Sequence, residues 1–260
     1  MSADESVIVS SENDVVTVTI NRPKRKNAID EATWGKLRQT FDEIGSSGEH
    51  RVMVLTGAGG DFCAGADLAA DRGDLHPIQR MREIHKVGAL LHEVPIPTIA
   101  RVSGVAVGAG LNLALGCDLV VADRTARFSE IFVKRALSLD LGGSWLLPRI
   151  VGMQQAKRLA LLGEIIDAAE AERIGLVTYV VEPDELDAKV ADLAAQLAAG
   201  PPIALTQTKV LLNESFQTTM REALESEVRT QAVNFATEDT ASAFAAFLNK
   251  TEPKFTGKWR

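Results

Sequence analysis

Apolar residues recur along this chain with two different periods. Near the N-terminus Val16, Val18 and Ile20 alternate with Thr17 and Thr19, the period-two pattern of a half-buried strand. The stretch "SVIVSSENDVVTVTIN" therefore predicts two strands around a turn at Asn13-Asp14. The period then changes. In "EATWGKLRQTFDEIGSS", Trp34, Leu37, Phe41 and Ile44 fall at helical spacing. The short apolar run "RVMVLTG" predicts a strand, "GAGGDFCAGADL" a glycine-rich loop and "PIQRMREIHKVGALLHEV" a helix. "PTIARVSG" predicts another strand, running straight into the glycine-rich opening of the next helix, and "CDLVVAD" predicts one more. Strands alternating with helices predict an α/β architecture with parallel pairing. From Gln154 onward the pattern is mainly helical, with "LVTYVV" as one short strand. The apolar faces of this helical end need a partner, either the core or another subunit.

Composition narrows the function classes. Hydrophobic residues make up 46% and charged residues 24% of the 260, a soluble globular balance. The formal net charge of -7 predicts no nucleic-acid partner, while leaving room for a small basic site that grips an anion. The start, "MSADESVIVS", is polar and acidic, unlike a secretory leader. The apolar stretch 105–115 is too short to span a bilayer and contains Asn112, so no membrane association is expected. Cys63 and Cys117 give neither a disulfide framework nor metal spacing. The histidines (His50, His76, His85, His92) form no ligand pair, so no metal is predicted and a cytoplasmic location is the default.

Two glycine-rich loops each follow a predicted strand. Neither Gly57-Ala58-Gly59-Gly60 nor Gly108-Ala109-Gly110 has the third spaced glycine of a dinucleotide fingerprint, and neither ends in the Lys-Ser/Thr of a P-loop. Such loops can instead present backbone N–H groups. Two N–H groups converging near a helix start can hold a carbonyl oxygen as it gains negative charge. Ala66 and Ala109 are the candidate donors. The competing structural account is that these glycines only permit tight strand-to-helix turns.

The motifs "NRPKRKNAI", "LTGAGGDFCAGADL", "VSGVAVGAGLNLALGCDLVVAD", "ARFSEIFV", "LGGSWLLPRIVG" and "GEIIDAAEAERIGLV" occur in this order. Together they resemble the enoyl-CoA hydratase/isomerase (crotonase) superfamily, from about Val7 to the C-terminus. The resemblance implies a spiral of ββα units over residues 1–198 and a helical trimerisation region over 199–260. It implies a homotrimer or hexamer. It also implies an acyl-CoA thioester substrate, with no separate cofactor, whose carbonyl sits in an oxyanion hole made by Ala66 and Ala109. The CoA contacts it implies fall on Lys26, Ala28, Ala64, Ala66, Asp67 and Leu68, with Arg25 near a phosphate. Phe255 and Lys258 match positions that reach the nucleotide end of CoA in a neighbouring subunit.

This chain departs from the family's hydratases at their two catalytic glutamates. Asn112 and Phe132 stand at those positions. An amide cannot exchange protons near neutral pH, and a phenyl ring can only pack. Asp140, in "SLDLGGSW", matches the single catalytic aspartate of some isomerases of the family, including dienoyl-CoA and ring 1,2-epoxyphenylacetyl-CoA isomerases. Phe132, Leu141 and Trp145 would close the pocket around it and raise its proton affinity. The structural alternative for Asp140 is a cap on the helix beginning near Gly142. Glu130 would share a face with Phe132 in an extended stretch, and is read as a surface residue or a substitute acid. His85 and His92 lie in the region from which the family's dehalogenases take a histidine. They are read as surface or core histidines. Enoyl-CoA isomerisation with Asp140 as base is the leading expectation. A hydratase of low efficiency and an idle acyl-CoA binder stand beside it.

Overall fold

A computed structural model of the chain describes residues 5–71 and 74–259; residues 1–4 of the acidic start lie outside them. The predicted hairpin forms from β1 (Val7–Glu12) and β2 (Val15–Ile20), with Val7 opposite Ile20. Asn13 and Asp14 both take positive φ, 50° and 64°. That is the two-residue turn whose twist suits a hairpin, and short polar side chains tolerate it. The chain continues through α1 (Glu31–Ser47), β3 (Val52–Gly57), α2 (Pro77–Glu93), β4 (Thr98–Val102), β5 (Val105–Val107) and α3 (Ala109–Leu115). Next come β6 (Leu119–Asp123), β7 (Arg127–Ser129), α4 (Gly143–Leu162), β8 (Ile166–Asp167), α5 (Ala168–Arg173) and β9 (Tyr179–Val181). Helices α6 (Leu186–Ala198), α7 (Pro202–Glu214), α8 (Met220–Phe235) and α9 (Glu238–Asn249) complete it.

Six strands form one sheet in the order β1-β2-β3-β4-β6-β9, parallel from β2 onward. Both faces of its parallel part are covered, as parallel sheets require. On one face Met53, Leu55, Ala100 and Val102 pack against α1, α2 and α3 through Leu37, Phe41, Val87 and Leu111. On the other, Val52, Val54, Ile99 and Val121 meet Leu186, Val190 and Leu193 of α6. A second sheet of three strands, β5-β7-β8, carries the loops that matter below.

Four details differ from the pattern-based reading. The strand after "PTIARV" does not run straight into α3; Ser103 and Gly104 break it, and β5 joins the second sheet. The helix beginning near Gly142 and the helical stretch from Gln154 onward are one element, α4, which bends at Gly152, whose φ is 75°. Helix α9 and the two-residue β8 had no prediction. The stretch after β7 is not extended: residues 131–135 form a 3-10 turn.

Candidate active site

After β3 the chain bends back, and residues 63–65 run beside β5. The Cys63 N–H donates to the Val105 carbonyl (2.9 Å), and the Val107 N–H donates to the Cys63 carbonyl (3.0 Å). On the loop's other side the Ile29 N–H donates to the Gly65 carbonyl, and the Asp67 N–H to the Ile29 carbonyl. In this parallel pattern the residues flanking Ala66 make the bonds, so the Ala66 N–H faces away from Ile29. Ala109 is the first residue of α3, so its N–H has no acceptor within the helix. The Gly108 N–H is already spent on the Ser129 carbonyl.

The two segments touch. Gly65 has φ 90°, and a Cβ built on it would lie 2.8 Å from the Val107 oxygen and 3.5 Å from the Ala109 nitrogen. A Cβ on Gly110 would stand 2.2 Å from the Cys63 carbonyl oxygen. These glycines therefore do more than turn the chain. They let two backbones approach closely enough for the Ala66 and Ala109 donors to share one neighbourhood.

Asn27 pins this loop and was not among the predicted site residues. It is fully buried with φ 56°. Its side-chain N–H groups donate to the carbonyls of Ala58 (2.8 Å) and Asp61 (2.6 Å), and its Oδ1 accepts from the Arg22 N–H (2.9 Å). The only signal in the sequence is an asparagine, tolerant of left-handed backbone, inside a basic loop.

Asn112 lies one turn into α3 and is buried. Its Nδ2 donates to the backbone carbonyl of Asp140 (3.0 Å). A Cβ on Gly143 would come within 2.4 Å of that nitrogen, so the amide rests against the start of α4. Asn112 thus holds the Asp140 loop. Asp140 does not cap α4 with its side chain: Gly142 occupies the cap position, and only the Asp140 carbonyl takes part, accepting the Gly143 N–H (2.8 Å). The Asp140 Oδ1 is buried without a partner. Burial pushes the carboxyl up to about 6.

Glu130 corrects the surface-residue expectation. It is fully buried at the end of β7, and neither carboxyl oxygen has a hydrogen-bond partner. Because the chain turns there, Glu130 and Phe132 do not sit on one face of a strand; both are buried separately. Burial first, and the Asp140 charge second, push Glu130 up to about 8, with the Asn112 amide opposing the rise. The amide is close enough to oppose it but makes no well-formed hydrogen bond to either oxygen, and the raised direction follows from the missing donors.

Phe132 and Leu141 are buried. Leu141 lies against Gly88 of α2, where a Cβ would be 3.3 Å from its carbonyl. A cavity of about 320 Å³ opens beside this point, lined by His85, Gly88, His92, Leu141 and Trp145 among others. Trp145 is held between the edge of His92 (5.3 Å between centroids) and the Arg149 guanidinium (4.0 Å). His92 is depressed by its burial, which suits a packing role, and His85 is exposed. Both cysteine thiols are buried and pushed up to about 12, so they stay unreactive thiols.

The positions matching CoA contacts divide in two. Arg25, Lys26, Ala28, Ala64, Ala66, Asp67 and Leu68 form one neighbourhood: the Ala64 N–H donates to the Lys26 carbonyl (3.0 Å), and Leu68 is exposed. Asp67 is occupied by Arg22 (3.1 Å) and its own Ala69 N–H, so its side chain fixes the loop. Phe255 and Lys258 lie elsewhere. The Phe255 carbonyl accepts from Arg51, at the N-terminal end of β3, whereas Ala66 follows its C-terminal end. Six residues of strand, roughly 20 Å, separate the two ends within one chain.

Comparison with known proteins gives the family and the fold. A family model described as enoyl-CoA hydratase/isomerase matches residues 10–258. The chain is 36% identical to a 1,2-epoxyphenylacetyl-CoA isomerase of Escherichia coli, covering 98% of this chain and 99% of the relative. It is also 36% identical to a short-chain-enoyl-CoA hydratase of Clostridium acetobutylicum, covering 94% and 95%. The solved structure of an enoyl-CoA hydratase from Bacillus anthracis superposes with a TM-score of 0.92 at 30% identity, covering 98% of this chain and 100% of that one. The α/β fold with its C-terminal helices is thus the crotonase fold.

Proposed function

Because the chain belongs to the enoyl-CoA hydratase/isomerase family, a family of enzymes acting on CoA thioesters, we propose that it moves the double bond of an enoyl-CoA, with Asp140 as the single base. The observation that carries this reading is the Asp140 carboxyl, whose Oδ1 is buried without a partner, on a loop that Asn112 holds through the Asp140 backbone carbonyl. Asp140 takes a proton from the carbon next to the thioester carbonyl. The electron pair moves into a dienolate, and the oxygen that gains the charge is held by the Ala66 and Ala109 N–H groups. The proton on Asp140 then returns to the far carbon of the former double bond, leaving the bond conjugated and the carboxylate restored. No water enters the balance, and Phe132, Leu141 and Trp145 exclude it. The 320 Å³ cavity beside Leu141 takes the acyl part. Phe255 and Lys258 would reach CoA only from another copy, so the reading includes a homotrimer or hexamer.

Asp140→Asn tests the assignment. Turnover of 3-enoyl-CoA should fall about 10²–10⁴-fold, as removal of a positioned acid–base group does. Titration calorimetry with a non-reactive acyl-CoA should show unchanged affinity. Full turnover in this variant removes Asp140 from the mechanism.

A hydratase reading has one observation in its favour. Glu130 gives the site a second buried carboxyl group, and hydration needs one group to activate water and another to protonate the neighbouring carbon. Rapid formation of 3-hydroxyacyl-CoA, lost in Glu130→Gln, would support it.

A further inference from the structure

The isomerase reading leaves one buried acid unused. Three residues come together at α3: the Asn112 amide donates to the Asp140 backbone carbonyl (3.0 Å), and Glu130, just past the end of β7, lies close enough for the Asp140 charge and the Asn112 amide to act on its carboxyl. Four of their oxygens, Asn112 Oδ1, both of Glu130 and Asp140 Oδ1, are buried without a hydrogen-bond partner. A core does not keep such a cluster for stability, because each orphaned polar atom costs free energy. All four are acceptors when both acids are ionised. The one donor group in the cluster, Asn112 Nδ2, serves the Asp140 carbonyl, and a proton is the smallest thing that supplies another.

Resting on the isomerase reading, we propose that Glu130 is a positioning residue: it keeps its proton, donates it within the Asn112–Glu130–Asp140 cluster, and so leaves Asp140 the only charged base. With Glu130 neutral, the site holds one negative charge, which moves to the dienolate as Asp140 takes the proton. If Glu130 ionises, the dienolate forms beside a second, buried negative charge and the cluster loses its donor. Glu130 therefore sets the upper pH limit of the reaction without touching the substrate.

Nothing else near Glu130 can take over this role. On its own segment Arg127, Lys134 and Arg135 are exposed. Helix α3, "AGLNLAL", carries no charge. Glu164, beyond α4, is paired with Arg158 at 2.5 Å. Among the described residues, Asp140 is the charge that acts on Glu130.

Two readouts test this in the intact protein. The first is the pH profile of kcat/KM for wild type and Glu130→Gln. The wild type should lose about tenfold per pH unit once Glu130 ionises, since one proton is then missing. Glu130→Gln keeps a donor without a titrating proton and should lack this alkaline limb, so the ratio of variant to wild type should climb about tenfold per unit. The second readout needs no turnover. Infrared spectra with ¹³C-labelled glutamate should show a protonated glutamic acid at pH 7 that ionises near pH 8, and near a lower pH in Asp140→Asn. An alkaline limb that persists in folded Glu130→Gln, a folded variant inactive at every pH, or the absence of a protonated glutamic band at pH 7 would each overturn the proposal. If wild type turns over no enoyl-CoA, the isomerase reading fails alone, and the infrared titration still decides the protonation of Glu130.

Discussion

At the scale of single residues, the site keeps two acids where the core would rather have none. Both Asp140 and Glu130 bind their protons more tightly in the folded chain than an exposed acid does, reaching about 6 and about 8. A raised folded-state value means that the neutral form is favoured by folding. That favourable contribution is complete below pH 4, where both states are protonated, and is lost as pH rises through about 6 for Asp140 and about 8 for Glu130. Stability should therefore fall between pH 5 and pH 9, and Glu130→Gln should unfold at a higher temperature than wild type at pH 9. Thermal melts at pH 5 and pH 9 check the sign; a variant less stable than wild type at pH 9 contradicts it. Asp140 stood out in the sequence as a candidate because the residues around it carry the family resemblance. Glu130 was not, because its burial follows from the 3-10 turn at 131–135, and no period of two or 3.6 marks such a turn.

At the scale of elements, the candidate site rests on close approach between backbones. The Cys63–Gly65 segment lies against β5 and the first turn of α3, and Gly65 and Gly110 sit where any Cβ would collide with a carbonyl. Gly110→Ala should push α3 off Cys63. The expected result is a kcat lowered about 10²-fold or more, comparable to losing an oxyanion donor, with some loss of thermal stability. Steady-state kinetics with a melt as control measures this; unchanged kcat would mean that the loop and helix need not touch. The strands and long helices were readable because each buries one regular face, as Trp34, Leu37, Phe41 and Ile44 do in α1. The break at Ser103 and Gly104 escaped that reading, because the apolar run continues across it while the chain passes from one sheet to the other. Asn27 escaped for a different reason. Its role is to satisfy carbonyls at Ala58 and Asp61, residues far along the chain, and polar pairing at such range leaves no local pattern.

At the scale of the whole molecule, the C-terminal helices leave an apolar surface. Phe216, Met220, Leu224, Val228, Phe244, Phe247 and Leu248 are exposed on or beside α8 and α9. A single chain seldom leaves so many large apolar side chains exposed on two helices without a partner. Self-association would also bring Phe255 and Lys258 to another copy's site. Sedimentation should therefore give a trimer or hexamer mass, and replacing Phe247 and Leu248 together by aspartate should lower it. A monomeric wild type at micromolar concentration would contradict this. Among the described residues no helix is long and apolar enough to cross a membrane.

The central claim is that one carboxylate moves a proton and no water is added. Its most direct test is incubation of the protein in deuterated water with 3-enoyl-CoA and 2-enoyl-CoA in parallel, read by mass spectrometry for double-bond position and mass gain. The account predicts migration of the bond from position 3 to position 2, without the mass of a water, and loss of that migration in Asp140→Asn. Rapid conversion of 2-enoyl-CoA to 3-hydroxyacyl-CoA, with no migration of the 3-enoyl bond, would contradict it.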